Sequence, residues 1–324
     1  MNFKEIDRTG TVEGFALVKA CDKKTAKNGS IYLDMVLSDK SGEIVAKLWD
    51  FKDGIQRDVE VNTIVKIRGV LQQYNNTPQL RVDKIRPSCP SDNIDISDYV
   101  LASEYSGEIM LGMITDIVND FSDEEIKRLV LAVLEEYGDR MLDCPAAYKL
   151  HHAMRGGLLY HTLSIVRLAQ AMAAIYPTID RDLLLAGAIL HDVAKTEEYM
   201  LNPAGLVDSY TIDGMLIGHL VRGAMAVERI GREIGCNQDV MNYIEHMLIS
   251  HHGEPEFGAA VRPLFLEAEI LSQLDLLDAR IYEIEKATQD VPSGEFSTRQ
   301  WALNDRRFFN HGRRPISPTA KLDG

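Results

Sequence analysis

Histidines are concentrated in one part of this sequence. Of the nine histidines, all but one lie between positions 151 and 252. One of them is followed by an acid, as His191-Asp192, directly after the apolar stretch 183–190, which predicts a buried helix. An adjacent imidazole and carboxylate at the end of such a helix can reach one ion, and mixed ligands of this kind suit Mn, Fe, Co, Ni or Zn better than Ca. The residues therefore indicate a divalent-metal site without choosing the metal.

Two more side chains extend the pair on either side. His161 lies in the stretch GGLLYHT, Asp275 lies in LDLLDA, and Lys195 completes the pattern HDxxK. This order of histidine and aspartate in a helical region resembles the HD superfamily of metal-dependent phosphohydrolases, over about residues 150–290. The resemblance implies that a first ion binds four residues, namely His161, His191, Asp192 and Asp275.

Further histidines stand where two-metal members of the superfamily carry additional ligands. The resemblance implies a second ion at His219, His251 and His252, with Asp192 bridging both ions, and it favours manganese. Two ions about 3.5–4 Å apart polarise a phosphate and activate a water as hydroxide, so no Ser or Cys nucleophile is required. Lys195 and Arg155 are the candidates for stabilising the charge that develops on the phosphate.

The first 90 residues have strand character. Turn-forming residues separate five apolar, partly alternating segments, at 11–21, 31–37, 44–49, 63–71 and 79–85. The region resembles an OB-fold of the nucleic-acid-binding type, a five-stranded barrel that binds single strands with aromatic and basic side chains. The candidates for such contacts are Phe15, Tyr32, Lys47, Trp49, Arg68 and Tyr74.

From residue 94 onward the apolar residues recur at three- and four-residue spacing. The pattern predicts helices at 109–118, 124–137, 157–175, 181–194, 213–234, 238–251 and 263–286, with no strand among them. The predicted fold class is thus multidomain β plus all-α, an N-terminal five-stranded OB-type barrel followed by an all-helical HD domain. The expected domains are 1–90, 91–298 and a basic C-terminal tail at 299–324.

Composition and charge agree with a globular enzyme. The chain has 324 residues, 45% of them hydrophobic and 26% charged, and its four scattered cysteines are expected to be reduced thiols of a cytoplasmic protein. We expect no secretory signal at the start, which has no apolar core and no small-residue cleavage site, and the apolar run 183–190 is too short to span a membrane. The net charge is −14, yet residues 1–90 hold 15 Lys and Arg against 12 Asp and Glu. The acidic surplus therefore lies in the middle of the chain.

Taken together, the barrel and the helical region narrow the resemblance from the HD superfamily to one family within it. An OB-fold ahead of an HD domain resembles the YhaM family of bacterial 3′-to-5′ exoribonucleases, and the matching motifs are HHA-x-x-GGLL-x-HT at 151–162, HDxxK at 191–195, ISHHGEPEFG at 249–258 and WAL-x-x-R-x-FF at 301–309. The resemblance implies a manganese-stimulated enzyme that degrades single-stranded RNA from its 3′ end to nucleoside monophosphates, with single-stranded DNA as a second candidate substrate.

Two other functions compete with this interpretation. A cyclic-nucleotide or cyclic-dinucleotide phosphodiesterase would share the metal site, but relatives of the cyclic-dinucleotide type carry Gly-Tyr-Pro after the paired histidines, where this chain has GEPEFG at 253–258. A non-catalytic single-strand-binding protein has no need for seven metal-binding side chains. The number of ions, the choice between RNA and DNA, and a homo-oligomeric state stay open.

Overall fold

The computed structural model describes residues 3, 10–39, 41–49, 51–52, 59–74, 77–94, 98–100, 102–148, 152–202 and 204–313. The chain forms two compact units, Met1–Ala102 with Leu201–Asp208, and Ser103–Met200 with Ser209–Gly324. The first unit is the barrel and the second is the helical unit. The barrel unit therefore includes residues 91–102 and 201–208, which the prediction had assigned to the helical domain.

The barrel is built from five strands, as predicted. Along the second strand, Leu33, Met35 and Leu37 are buried while the residues between them are more exposed, the period expected of a strand with one face in a core. The strands are β1 (Gly10–Thr25), β2 (Ile31–Asp39), β3 (Gly42–Leu48), β4 (Ile64–Tyr74) and β5 (Thr77–Pro87).

Closure of the barrel depends on one parallel pair and one close contact. The strand order is β1-β2-β3-β5-β4, with β4 returning to β1, and only β3 and β5 pair in parallel among the described strands. At the irregularity between Arg68 and Gly69, a Cβ on Gly69 would lie 2.3 Å from the carbonyl oxygen of Arg81. Glycine is therefore required where β4 bends onto β5.

The helical unit follows most of the predicted helices. Its helices are α1 (Gly107–Asn119), α2 (Glu124–Met141), α3 (Gly157–Ile175), α4 (Arg181–Leu190), α5 (Lys195–Glu198), α6 (Ile212–Leu216), α7 (His219–Glu233), α8 (Gln238–Ser250) and α9 (Leu266–Thr288). The single helix predicted at 213–234 is wrong, because Gly218 takes φ 76° and ψ 163° and separates α6 from α7. A side chain is disfavoured in that backbone conformation, and the break makes His219 the first residue of α7.

The prediction of a strand-free second domain is also wrong in detail. Two short strands, β6 (Tyr199–Leu201) and β7 (Val207–Tyr210), form a two-stranded sheet. The Asn202 side chain closes their connection by accepting hydrogen bonds from the N–H groups of Ala204 and Leu206, at 2.8 and 3.1 Å. Strands of three and four residues are too short to leave an alternating pattern in the sequence.

The predicted tail from residue 299 begins inside a folded hairpin. The N–H of Ser297 donates to Phe308 at 2.8 Å, and the N–H of Gln300 donates to Arg306 at 2.9 Å. Residues 314–324 of the predicted tail lie outside the described residues.

Helix α4 is the centre of the helical unit. All of its residues from Asp182 to Leu190 are buried, and it packs against α2, α3, α8 and α9. A Cβ on Gly187 would lie 2.2 Å from the end of the Met247 side chain, so α8 approaches α4 closely there. The apolar run noted in the sequence is thus a core helix that fixes the position of the residues that follow it.

Among the described residues, one helix, α3, has the length and the apolar composition that could cross a membrane. It packs against α1, α4 and α9, and its buried residues include the polar His161 and Thr162. Helix α3 is therefore apolar because it packs in the core of the helical unit.

We expect Gly157→Ala to lower the free energy of unfolding of the helical unit by about 1–3 kcal/mol. A Cβ at this position would lie 2.0 Å from the backbone oxygen of His152, which cannot move without displacing the start of α3. Urea unfolding followed by far-UV circular dichroism measures the effect. Gly112→Ala is the matched control, because a Cβ there meets nothing within 4 Å and alanine favours the interior of α1. Equal stability of the two variants would contradict the close approach.

Candidate metal centre and nucleic-acid interface

The His191-Asp192 pair lies directly after α4, with both side chains almost completely buried. The Nδ1 of His191 is 2.9 Å from the carbonyl oxygen of Ala188, so Nδ1 carries the proton and donates it. The Nε2 atom is left with a lone pair, 3.3 Å from Oδ2 of Asp192. Backbone geometry at the end of a core helix therefore aims an imidazole lone pair and a carboxylate at one place.

His161 on α3 and Asp275 on α9 come to the same place. The Nε2 atom of His161 is 3.1 Å from Oδ1 of Asp275, 3.4 Å from Nε2 of His191 and 3.7 Å from Oδ2 of Asp192. His161, His191 and Asp192 offer ligand atoms that all lie within 4.8 Å of one another. The four residues implied for the first ion are thus brought together from three separate parts of the helical unit.

The three remaining histidines form a second group on the other side of Asp192. The ligand atoms of His219, His251 and His252 lie within 4.8 Å of one another. The Nε2 atoms of His219 and His251 are 3.3 and 3.6 Å from Oδ1 of Asp192. One carboxylate oxygen of Asp192 therefore faces each group, which is the arrangement of a bridging ligand.

Backbone carbonyl oxygens fix the proton of His251 and His252 on Nδ1, as the carbonyl oxygen of Ala188 does for His191. The Nδ1 of His251 donates to the carbonyl oxygen of Leu248 at 2.7 Å, and the Nδ1 of His252 donates to that of Phe257 at 2.9 Å. Each ring therefore keeps its proton on Nδ1 and presents the Nε2 lone pair, the form that binds a metal.

Several buried polar atoms of these residues have no hydrogen-bond partner in the part of the chain that the structure describes, which bears on whether a cation fits here. Oδ1 of Asp192 and the Nε2 atoms of His219 and His251 are buried and have no hydrogen-bond partner among the described residues. Buried polar atoms without partners are costly, and here they are all electron-pair donors that converge. A divalent cation satisfies them, and a donor set of imidazole nitrogen with carboxylate oxygen suits first-row transition ions.

The carboxylates of the cluster are ionised. Burial works to raise the pKa of Asp192, but Lys195 and His191 outweigh it and hold that pKa well below its usual range. Burial acts on Asp275 in the same direction, and His161 outweighs it and lowers the pKa of Asp275. Both side chains are thus in the charged form that a cation requires.

The pKa values of the imidazoles differ because the rings have different neighbours. Burial and the adjoining imidazoles lower the pKa of His252 to about 3, and burial lowers the pKa of His219. Burial opposes the charged form of His161 as well, but Asp275 and Asp278 reverse the effect and raise its pKa to about 9. A cation at the same carboxylates competes with that proton, so binding of a metal releases it.

Two carboxylates that orient the histidines were not among the predicted site residues. Oε2 of Glu198 lies 2.5 Å from Nδ1 of His219 and accepts the backbone N–H of the same residue at 2.8 Å. Oδ2 of Asp278 lies 2.8 Å from Nδ1 of His161 and 2.9 Å from Nε2 of His152. Nothing in the local sequence pattern distinguished Glu198.

The two cations predicted to contact phosphate have different surroundings. The Nζ atom of Lys195 is buried and lies 2.6 Å from Oδ2 of Asp192. The guanidinium of Arg155 forms a two-bonded ion pair with Asp143, at 2.8 and 2.9 Å. Lys195 thus belongs to the cluster, while the ion pair with Asp143 ties Arg155 to the loop that precedes α3.

Three of the predicted nucleic-acid residues meet on the barrel. The rings of Tyr32 and Trp49 stack with centroids 4.5 Å apart, and Nζ of Lys47 lies 5.3 and 5.6 Å from the two ring centroids. Trp49 is 43% exposed and therefore offers a ring face to solvent. This group, the Tyr32–Lys47–Trp49 platform, combines a flat aromatic surface with a cation.

The other three predicted residues do not join this platform. Phe15 is partly buried against Tyr99, with ring centroids 6.4 Å apart, and packs on a separate apolar cluster. Arg68 is exposed on β4 opposite Glu13 of β1. Tyr74 is exposed at the end of β4.

Comparisons with known proteins agree with this division of the chain. Residues 158–280 match the family model described as HD domain, and residues 8–88 match the model described as OB-fold nucleic acid binding domain. A third model, described as a putative helicase, matches residues 94–182.

Curated relatives match almost the whole chain. A protein of Listeria welshimeri named 3′-5′ exoribonuclease YhaM is 39% identical over 300 residues, which are 93% of this chain and 95% of the relative. Proteins of the same name from Bacillus licheniformis and Bacillus pumilus are 35% and 36% identical, over 92% and 90% of this chain and 94% and 92% of their own lengths.

Among solved structures, a replication protein A heterotrimer bound to ssDNA is similar to this chain, with 19% identity and a TM-score of 0.21 over 26% of this chain and 61% of the other. The second OB-fold domain of replication protein A from Methanococcus maripaludis has 25% identity and a TM-score of 0.19, over 24% and 82%.

We expect Asp278→Asn to weaken Mn²⁺ binding about 10- to 100-fold, the usual effect of removing a group that orients a ligand histidine. Both His161 and His152 donate to the same carboxylate oxygen of Asp278, and asparagine replaces this charged acceptor by a neutral amide, which holds the Nδ1 proton of His161 less strongly. Calorimetric titration of the metal-free protein with Mn²⁺ measures the change. Glu285→Gln is the control, since it removes the same charge from an exposed position of α9. Unchanged Mn²⁺ affinity in Asp278→Asn would contradict the orienting role.

Proposed function

We propose that this chain, which belongs to the YhaM family of 3′-5′ exoribonucleases, hydrolyses single-stranded RNA from the 3′ end and releases nucleoside monophosphates. The observation that supports this most directly is the buried carboxylate of Asp192, which has one oxygen toward each of two histidine groups. Such a centre is suited to phosphodiester hydrolysis and requires no covalent nucleophile from the protein.

We assign two divalent ions to this centre, with manganese as the preferred metal and Fe, Co, Ni or Zn as alternatives. When bound, such ions provide Lewis acidity toward the phosphate and lower the pKa of a water. The first ion would be held by His161, His191, Asp192 and Asp275, and the second would be held by His219, His251, His252 and the other oxygen of Asp192.

Lys195 has two tasks in this proposal. It holds Asp192 in the ionised form, because its ammonium group lies 2.6 Å from the carboxylate. Although burial works in the opposite direction, Asp192 raises the pKa of Lys195, which therefore stays charged. An ammonium has three donors, so those not used by Asp192 can donate to a phosphate oxygen and stabilise its developing charge.

The Tyr32–Lys47–Trp49 platform gives the barrel a means of holding a single strand. A base can stack on the exposed Trp49 ring irrespective of its sequence, and the Lys47 ammonium, which is 3.7 Å from Asp34, adds a positive charge beside the same ring. Single-strand binding by the barrel would keep the substrate on the enzyme while the terminal phosphodiester is cleaved.

The direct test is hydrolysis of a single-stranded RNA labelled at its 5′ end in the presence of Mn²⁺. We expect a ladder that shortens from the 3′ end and that stops when EDTA removes the metal. Asp192→Ala should reduce the rate by about a hundredfold or more, since metal stabilisation of the transition state is worth several kcal/mol. Asp116→Ala is the control, because Asp116 is exposed on α1. Intact RNA together with turnover of a cyclic dinucleotide would overturn the proposal in favour of a cyclic-dinucleotide phosphodiesterase.

A second test concerns the barrel. Trp49→Ala should weaken RNA affinity about 5- to 150-fold, because loss of one stacked base costs about 1–3 kcal/mol. Hydrolysis of bis(p-nitrophenyl) phosphate, a single phosphodiester without a nucleic-acid strand for the barrel to hold, should be unchanged. Tyr176→Ala removes an equally exposed aromatic ring from the helical unit and should leave both measurements unaltered. If Trp49→Ala and Tyr176→Ala bind RNA alike, the platform is not the binding surface.

A further inference from the structure

The chain that follows α9 forms a hairpin of its own, which we call the C-terminal hairpin (residues 293–312). The N–H of Gly294 donates to Asn310 at 2.8 Å, and that of Ser297 donates to Phe308 at 2.8 Å. Ser297 and Leu303 are buried, and the single helical turn that contains Leu303 packs against α9. The hairpin is therefore an anchored element with fixed side-chain positions.

Three arginines of the hairpin are held by backbone carbonyls. Arg299 donates to Asp305 at 3.1 Å, Arg306 donates to Leu303 at 3.0 Å, and Arg307 donates to Ser297 at 2.9 Å. Within the part of the chain that the structure describes, none of the three forms an ion pair with a carboxylate. Each guanidinium has five N–H donors and uses one of them here, so the others remain available to an anion.

Aromatic rings accompany these arginines at the surface. Phe296 and Phe309 pack together with ring centroids 5.0 Å apart and are 54% and 47% exposed, while Trp301 is 74% exposed. The guanidinium of Arg307 lies over the Phe296 ring at 5.4 Å. Large exposed rings are unusual at a solvated turn, and rings interleaved with arginines are typical of surfaces that bind single-stranded nucleic acid.

The charge of the hairpin contrasts with that of the whole chain, which carries −14. The hairpin carries Arg299, Arg306 and Arg307 against Glu295 and Asp305, and the three guanidinium groups form no ion pair among the described residues, which leaves their charge available to phosphate. A planar guanidinium forms two parallel hydrogen bonds with phosphate, and backbone carbonyls fix its plane in advance. A single strand offers phosphates to the arginines and bases to the aromatic rings, so it matches both kinds of side chain on this surface.

We propose that the C-terminal hairpin is a second binding surface for single-stranded RNA, separate from the barrel, in which the three arginines contact phosphates and Trp301 stacks on a base. The inference rests on the proposed function, since it adds a binding surface for the same substrate. No carboxylate or imidazole of the metal cluster belongs to it, so binding at the hairpin and hydrolysis can be measured independently.

The test compares the metal-loaded wild-type enzyme with the triple variant Arg299→Gln, Arg306→Gln, Arg307→Gln. Fluorescence anisotropy with a labelled phosphorothioate RNA, which is cleaved slowly, gives the dissociation constant at several salt concentrations. We expect affinity to fall about 10- to 100-fold and the slope of log affinity against log salt to fall by about 2, the loss of three single-strand phosphate contacts. Trp301→Ala should weaken binding about 5- to 150-fold.

Two control variants keep the result interpretable. The triple variant Arg128→Gln, Arg229→Gln, Arg232→Gln removes the same charge from exposed ion pairs on α2 and α7 and should bind RNA as the wild type does. The triple variant Arg299→Lys, Arg306→Lys, Arg307→Lys keeps the charge and should retain the slope of log affinity against log salt. Bis(p-nitrophenyl) phosphate hydrolysis should stay unchanged throughout.

Three results would overturn the hairpin proposal. Unchanged affinity and salt slope in the glutamine variant exclude phosphate contacts, and an equal loss in the control triple variant shows a general charge effect. Unchanged RNA affinity with an altered sedimentation coefficient identifies the hairpin as a contact between copies of this chain. If instead the wild type binds RNA through the hairpin without shortening it, the proposed hydrolytic function fails while the binding surface stands.

Discussion

The structure of the helical unit depends on one costly feature, a carboxylate kept away from water. Asp192 is 1% exposed and lies among imidazoles and one ammonium group. Taking an ion out of water is unfavourable by several kcal/mol unless opposite charge and hydrogen bonds replace the solvent. Lys195 provides one positive charge at 2.6 Å, yet Oδ1 still has no hydrogen-bond partner among the described residues. A bound cation resolves that imbalance, and the same cation is what phosphodiester hydrolysis needs.

The surrounding helices can be understood as the means of placing this carboxylate. Helix α4 ends at a fixed point because it is buried on all sides, and α3, α7, α8 and α9 pack around it or next to it. The histidines are oriented through Nδ1, by the carbonyl oxygens of Ala188, Leu248 and Phe257 or by the carboxylates of Asp278 and Glu198. Each ring thus presents Nε2 toward Asp192, and the orientation is built in before any ligand binds.

The ligand residues were predictable from the sequence, whereas their supporting contacts were not. His191-Asp192 follows an uninterrupted apolar run, and helical periodicity marks the segments that carry His161 and Asp275. Glu198 reaches His219 only because Gly218 breaks the predicted helix and leaves His219 first in α7. The pairing of Arg155 with Asp143 and the C-terminal hairpin likewise depend on contacts between residues that are apart in the sequence. Periodicity records which face is buried, but not which partner lies there.

We propose that Asp192 bridges two ions, and crystallography with Mn²⁺ can show whether it does. Crystals soaked in Mn²⁺ and measured with anomalous scattering locate each ion without reference to activity. We expect two peaks about 3.5–4 Å apart, both next to Asp192, one of them at His161, His191 and Asp275 and the other at His219, His251 and His252. A single peak, or no peak at the second histidine group at saturating Mn²⁺, would contradict it.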